Sequence, residues 1–180
     1  SRSSNFPTQN PFQATNAGQQ DGVIFKLNSN LSSLLFSSYV GGSNNDACYS
    51  VKVDSSYNIV FTGGSSSDNL PFMNGWQTTY QGGKVDGFVV KLNPAGTSVT
   101  NASYVGTSNY DQAFFVEIDR SDNVFLVGQT MGGTFPIINS TFVNPNSSQF
   151  LVKFSPDLTT IESSTVFGNG SSNINISPAA

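Results

Sequence analysis

The chain writes one short phrase three times. Asp21-Gly-Val-Ile-Phe-Lys-Leu-Asn28 returns 65 residues later as Asp86-Gly-Phe-Val-Val-Lys-Leu-Asn93, and 62 residues after that as Ser148-Gln-Phe-Leu-Val-Lys-Phe-Ser155. A period of that length, holding several short apolar runs, marks a repeat architecture in which each unit buries its surface against its neighbours. Other landmarks keep the same register. Phe6-Pro7, Leu70-Pro71 and Phe135-Pro136 form one series, and Tyr39-Val-Gly-Gly42 returns as Tyr104-Val-Gly-Thr107 and, worn down, as Val166-Phe-Gly-Asn169. Asp46 recurs as Asp111, Val51-Lys-Val-Asp54 as Val116-Glu-Ile-Asp119, and Asn58-Ile-Val-Phe61 as Asn123-Val-Phe-Leu126.

Four strands are predicted within one period, in the second unit over 48–54, 58–63, 87–93 and 99–105. Asp54-Ser-Ser-Tyr-Asn58 and Asp119-Arg-Ser-Asp-Asn123 read as tight hairpin turns, since Asp and Asn hydrogen-bond their own backbone and tolerate positive φ. Asn93-Pro-Ala-Gly-Thr97 is another, with Pro pre-setting φ and Gly free for the left-handed position. The second and third strands are joined by a long link, about 65–86, that carries Phe72, Trp76 and Tyr80. No segment sustains a 3.6-residue apolar period, so little helix is expected.

The four strands differ. The first alternates, Val51 and Val53 on one face and Ser50 and Lys52 on the other. The second and third are apolar on both faces, as in Ile59-Val60-Phe61 and Phe88-Val89-Val90, which predicts a sheet covered on both sides. The fourth, with Thr100-Asn101-Ala102-Ser103, is polar and suits a solvent-facing edge. Four-stranded antiparallel units stacked face to face around an axis make a β-propeller. The fold expected is therefore all-β, an incomplete propeller of about two to three blades with a ~65-residue repeat. The second half of a preceding blade would occupy 1–41, complete blades 42–106 and 107–170, and the first strand of a following blade 171–180. Seven blades would need roughly 455 residues, so the chain is expected to be a segment of a longer polypeptide.

Composition narrows the function classes. Only 10% of residues are charged while 12% are aromatic, which argues for packing rather than disorder. Seven basic residues, unclustered under a net charge of −4, leave no nucleic-acid footprint. The single cysteine, Cys48, excludes an internal disulfide. No run approaches the ~18 apolar residues of a spanning helix. The chain has no histidine, which removes imidazole bases, Ser-His-Asp chemistry and His-containing metal sites from this segment.

The succession Asp-Gly-Phe-Val-Val-Lys-Leu-Asn-Pro, Tyr-Val-Gly-Gly-Ser with a following Asp, Val-Asp-Ser-Ser-x-Asn, Phe-Thr-Gly and Leu/Phe-Pro resembles the SBBP family of β-propeller repeats over nearly the whole chain. The resemblance implies a propeller, commonly seven-bladed, in a secreted or surface-exposed bacterial protein. The Ser/Asn/Thr-rich style and the ending Phe-Gly-Asn-Gly-Ser-Ser-Asn-Ile-Asn-Ile-Ser-Pro look most like large adhesin-type Bacteroidetes proteins exported by a type IX secretion system. The third unit departs from the pattern, with Ser148-Gln149 for Asp-Gly, Val166 for Tyr and Asn173 for the following Asp.

Three sets of residues are candidates for chemistry. Asp21/Asp86, Asp46/Asp111 and Asp54/Asp119 recur once per blade; Asp54 and Asp119 are the calcium candidates, because hard cations take carboxylate oxygens. The competing reading, turn and capping hydrogen bonds, is favoured by the lack of an Asp-x-Asp-x-Asp run. Lys26, Lys91 and Lys153 sit amid apolar strand residues, which suits stems packed between blades with ammonium groups at an edge. Phe72, Trp76 and Tyr80 would be the sugar-stacking set of a carbohydrate-binding propeller, or else plugs of the long loop against its own blade. The leading expectation is a non-enzymatic structural or interaction module, partnered by the remaining blades of its own chain and by surface glycans or other cell-surface proteins. The alternatives are glycan binding through the long loops and a non-catalytic segment of a larger extracellular enzyme.

Overall fold

The protein is all-β. A computed structural model describes residues 1–71, 73–131, 134–145 and 147–168. They form β1 (Gly22–Leu27), β2 (Leu34–Val40), β3 (Asp46–Val53), β4 (Ile59–Ser65), β5 (Asp86–Leu92), β6 (Val99–Val105), β7 (Asp111–Ile118), β8 (Val124–Thr130), β9 (Gln149–Phe154) and β10 (Ile161–Phe167). Among the described residues no helix is long and apolar enough to cross a membrane. The predicted first strand of a further blade, 171–180, lies outside the described residues, as does Phe72.

Three antiparallel sheets result: β1-β2, β3-β4-β5-β6 and β7-β8-β9-β10, each in sequence order. They fall within 1–41, 42–106 and 107–170. The two four-stranded sheets share details of register. Each first strand shifts register at the same place, between Cys48 and Ser50 and between Ala113 and Phe115. Opposite each shift stands a glycine, Gly63 or Gly128. A Cβ there would lie 1.9 Å from the Ala47 carbonyl oxygen and 2.6 Å from the Phe88 ring, or 2.1 Å from the Gln112 carbonyl oxygen and 2.3 Å from the Phe150 ring, so the shifted first strand and the third strand's phenylalanine both need a bare backbone there.

The middle sheet is sandwiched. Successive side chains of a strand point to opposite faces, and β4 and β5 divide their apolar residues accordingly. Ile59, Phe61, Phe88, Val90 and Leu92 enter a core shared with Ile24, Phe36 and Val40 of the first sheet. Val60 and Val89 enter the other core, with Val116, Leu126, Phe150 and Val152 of the third sheet. The continuous apolar runs are thus two alternating faces, each with its own partner sheet.

The fourth strand differs from expectation. β6 is polar, yet Ala102, Ser103, Tyr104 and Val105 are buried. The long loop doubles back along its edge: Asn74 and Gly75 N–H donate to the Ala102 carbonyl at 3.0 and 2.7 Å, and Tyr104 N–H donates to the Gln77 carbonyl at 2.9 Å. Gln77 N–H also donates to Ser103 Oγ at 3.0 Å. β2 is covered in the same way by Gln9, and β10 by Ile138. Sequence polarity here serves hydrogen bonding to a covering loop, which satisfies edge groups that would otherwise template pairing with other chains.

Candidate functional site

At one end of the stack, buried carboxylates meet at each junction between sheets. Asp21 immediately precedes β1, while β3, β5 and β7 open on Asp46, Asp86 and Asp111; all four are at most 1% exposed. Isolated parallel bridges, Gln20 with Asn45 and Val85 with Tyr110, bring each pair together. Asp46 N–H donates to the Gln20 carbonyl at 2.6 Å and Asp111 N–H to the Val85 carbonyl at 2.7 Å, so one junction is built twice.

The repeated motifs acquire their physical meaning here. Asp46 Oδ2 accepts from Gly42 N–H at 2.8 Å and Ser67 Oγ at 2.9 Å, and Ser65 Oγ also donates to this carboxylate. Asp111 Oδ2 accepts from both the N–H and the hydroxyl of Thr107, at 2.6 and 2.8 Å. Each carboxylate therefore ties the connection that leads into its own sheet. Asp86 lies under Gly106, where a Cβ would stand 2.5 Å from the carboxyl carbon, and Asp21 lies under Gly41 in the same way. That close approach is why the motif reads Tyr-Val-Gly. Burial pushes the Asp86 carboxyl up to about 7, against the N–H of Gln81 that favours its charge, with Asp111 adding repulsion. Burial also raises Asp46 and Asp111. Desolvation of this kind disfavours the ionised form.

The opposite end carries the hairpin turns. Asp54 Oδ1 accepts from Ser56 N–H at 3.0 Å and Asn58 N–H at 2.8 Å, while Asn58 Nδ2 reaches Oδ2 at 2.8 Å. Asp119 repeats this with Ser121 and Asn123. Lys91 Nζ lies 2.8 Å from Asp54 Oδ2, and it donates to the Pro156 carbonyl of the third sheet at 3.0 Å. Burial pulls the Asp54 carboxyl up, but Lys91 and Asn58 together hold it below the ordinary carboxylate value. Both calcium candidates thus have their oxygens engaged by protein donors. Lys91 is a staple between two sheets rather than a surface charge. Among the described residues no three Cys, Asp or Glu gather as metal ligands.

The loop aromatics are placed apart. Trp76 packs edge-on to Phe154 with centroids 6.4 Å apart, and its backbone N–H donates to the Leu158 carbonyl at 2.9 Å. Tyr80 packs on Tyr104 at 6.0 Å and donates to the Gly83 carbonyl at 3.2 Å. The first belongs to the core between the second and third sheets, the second to the core between the first and second. Cys48 is likewise drawn inward, and burial pushes its thiol up to about 12, far from the thiolate that reactivity requires.

Sequence reasoning found the recurring aspartates but ranked the hairpin pair above the junction pair. The available signal was the adjacent glycine, since Asp21 and Asp86 recur in step with Gly41 and Gly106. No protein-family model matches the chain, and no curated protein matches it.

Proposed function

We propose that this chain is a non-enzymatic structural and interaction module, a run of blades from a β-propeller within a larger secreted or cell-surface bacterial protein. The observation that supports this reading is the duplicated junction. The same bridge, the same carboxylate pair and the same glycine recur between the first and second sheets and between the second and third. A unit that makes one kind of contact on one face and its complement on the other is built to continue. The module serves to display loops and to hold neighbouring domains, in an adhesion or scaffold role. The long loop is displayed in a fixed shape, because Asn74, Gly75 and Gln77 bond its backbone to β6.

Electron microscopy of the native polypeptide that carries this sequence tests the architecture. A ring of radially arranged sheets is expected, and a closed two-sheet sandwich would overturn the reading. The role is tested by attachment of cells bearing the parent protein with and without residues 1–180. Attachment should fall, and unchanged attachment with unchanged assembly would reject an interaction role.

A further inference from the structure

One asparagine recurs in the covering loop of each sheet: Asn10, Asn74 and Asn139 stand four residues after Phe6, Leu70 and Phe135. In the second sheet its side chain completes the pairing of β6. Asn74 Oδ1 accepts from Ala102 N–H at 2.9 Å, and Asn74 Nδ2 donates to the Thr100 carbonyl at 3.1 Å. Asn139 makes the equivalent bond to the Glu162 carbonyl at 2.9 Å. The residue that follows differs each time: Pro11, Gly75 and Ser140. Space decides Gly75. A Cβ on it would lie 2.8 Å from both the Ala102 and the Leu158 carbonyl oxygens, so the loop threads a slot between the second and third sheets that admits only bare backbone. Packing therefore imposes an Asn-Gly pair, in which no side chain shields the asparagine from attack by the next backbone nitrogen.

We infer that Asn74-Gly75 is a deamidation site gated by the long loop, closed while the loop lies on β6 and reactive once it lifts. The Gly75 nitrogen attacks Asn74 Cγ. A C–N bond forms as the bond to Nδ2 breaks, and the Gly75 proton leaves with that nitrogen as ammonia. Water then opens the succinimide ring to aspartate or isoaspartate. In the folded chain both reacting groups are held. Gly75 N–H donates to the Ala102 carbonyl at 2.7 Å, and β6 fixes the Asn74 amide at Oδ1 and Nδ2, which keeps Cγ from turning toward the nitrogen. The other two asparagines are controls within the same chain, since Pro11 has no N–H to lose and the Ser140 side chain crowds the attack. The product does not fit back. A carboxylate has no hydrogen to give the Thr100 carbonyl, and isoaspartate lengthens the backbone by a methylene where the slot at Gly75 has no room. Reaction thus frees the loop from β6, and with it Trp76, whose ring packs on Phe154 of the third sheet.

The test incubates the full chain at mildly alkaline pH and follows Asn74 by peptide mapping and mass spectrometry. Folded chain should react at least about tenfold more slowly than chain unfolded in denaturant, with Asn139 slower than Asn74 once unfolded. Through low denaturant concentrations the rate at Asn74 should track amide exchange at Gly75, as local opening requires, and not exchange at Val89 of β5. Purified deamidated chain should lose amide protection at Ala102 while keeping it at Val89. Equal rates in folded and unfolded chain would overturn the gate. A rate that tracks Val89 would overturn it too, by making the reaction a mark of global unfolding. Undiminished protection at Ala102 after deamidation would overturn the release of the loop.

Discussion

The second and third sheets solve one packing problem in opposite ways. In the second, Tyr104 of β6 fills the space beneath the long loop, and Leu70 of that loop lies beside it. The Tyr104 hydroxyl accepts from Leu70 N–H at 3.1 Å and donates to the Ser67 carbonyl at 2.8 Å. In the third the aromatic has changed sides: Val166 stands at the Tyr104 position and Phe135 at the Leu70 position. The Phe135 ring stacks on Phe150 with centroids 4.5 Å apart and planes 13° from parallel. Volume is kept and chemistry is not, which is the kind of exchange a packed core tolerates. What looked in the sequence like erosion of the Tyr-Val-Gly motif is a swap across two contacting positions. The cost is the polar tie, since a phenylalanine cannot anchor loop backbone.

That comparison can be broken most severely at Tyr104. Tyr104→Val should destabilise the chain by about 4 kcal/mol, by leaving a cavity and unpaired backbone groups. Adding Leu70→Phe should recover part of that loss, because it copies the arrangement of the third sheet. Denaturant unfolding of the two singles and the double measures the coupling. Purely additive losses would show that the sheets are not interchangeable in this way.

The lysines sharpen the contrast next. Lys91→Met should cost about 3 kcal/mol by denaturant unfolding, because it strands the Asp54 carboxylate, whose side chain is 2% exposed. A loss as small as that of an exposed pair would remove Lys91 as a staple.

Titration separates the sheets as well. The third sheet has Ser148 before β9, where the second has Asp86. The raised Asp86 carboxyl holds its proton in the folded chain while the unfolded chain ionises at the ordinary carboxylate pKa. Its contribution is therefore full below the unfolded value and is lost as pH rises from about 4 to about 7. Asp111 is the charged neighbour that reinforces this shift, and Tyr80 and Tyr104 are the phenols that feel the Asp86 charge. Stability measured across that range should fall by up to about 3 kcal/mol, and Asp86→Asn should flatten the slope. An unchanged slope would remove Asp86 as its source.

The smallest effect belongs to the third sheet. Lys153 pairs with Glu162 at 2.6 Å, and their side chains are 27% and 39% exposed. Lys153→Met should change stability by less than about 1 kcal/mol. A loss matching that of Lys91→Met would erase the distinction between the two lysines.

Strand order and number were legible because they depend on local patterns. The period-2 distribution of Ile59-Val60-Phe61 and Phe88-Val89-Val90 announces a strand buried on both faces, and Asp54 to Asn58 announces its turn. Each needs only a few neighbouring residues. The partners of Lys91 were not legible, because Asp54 and Pro156 come to it from two other hairpins of the chain. Lys91 and Lys153 occupy the same place in the repeat, yet one staples two sheets and the other pairs within its own. The burial of β6 depends on a loop that returns to it, and no property of Thr100 to Ser103 records that return. The repeat, its strands and their order follow from short-range periodicity and turn chemistry alone. Which carboxylates are buried and which edges are covered came from the packing, since these depend on where whole sheets and loops lie against one another.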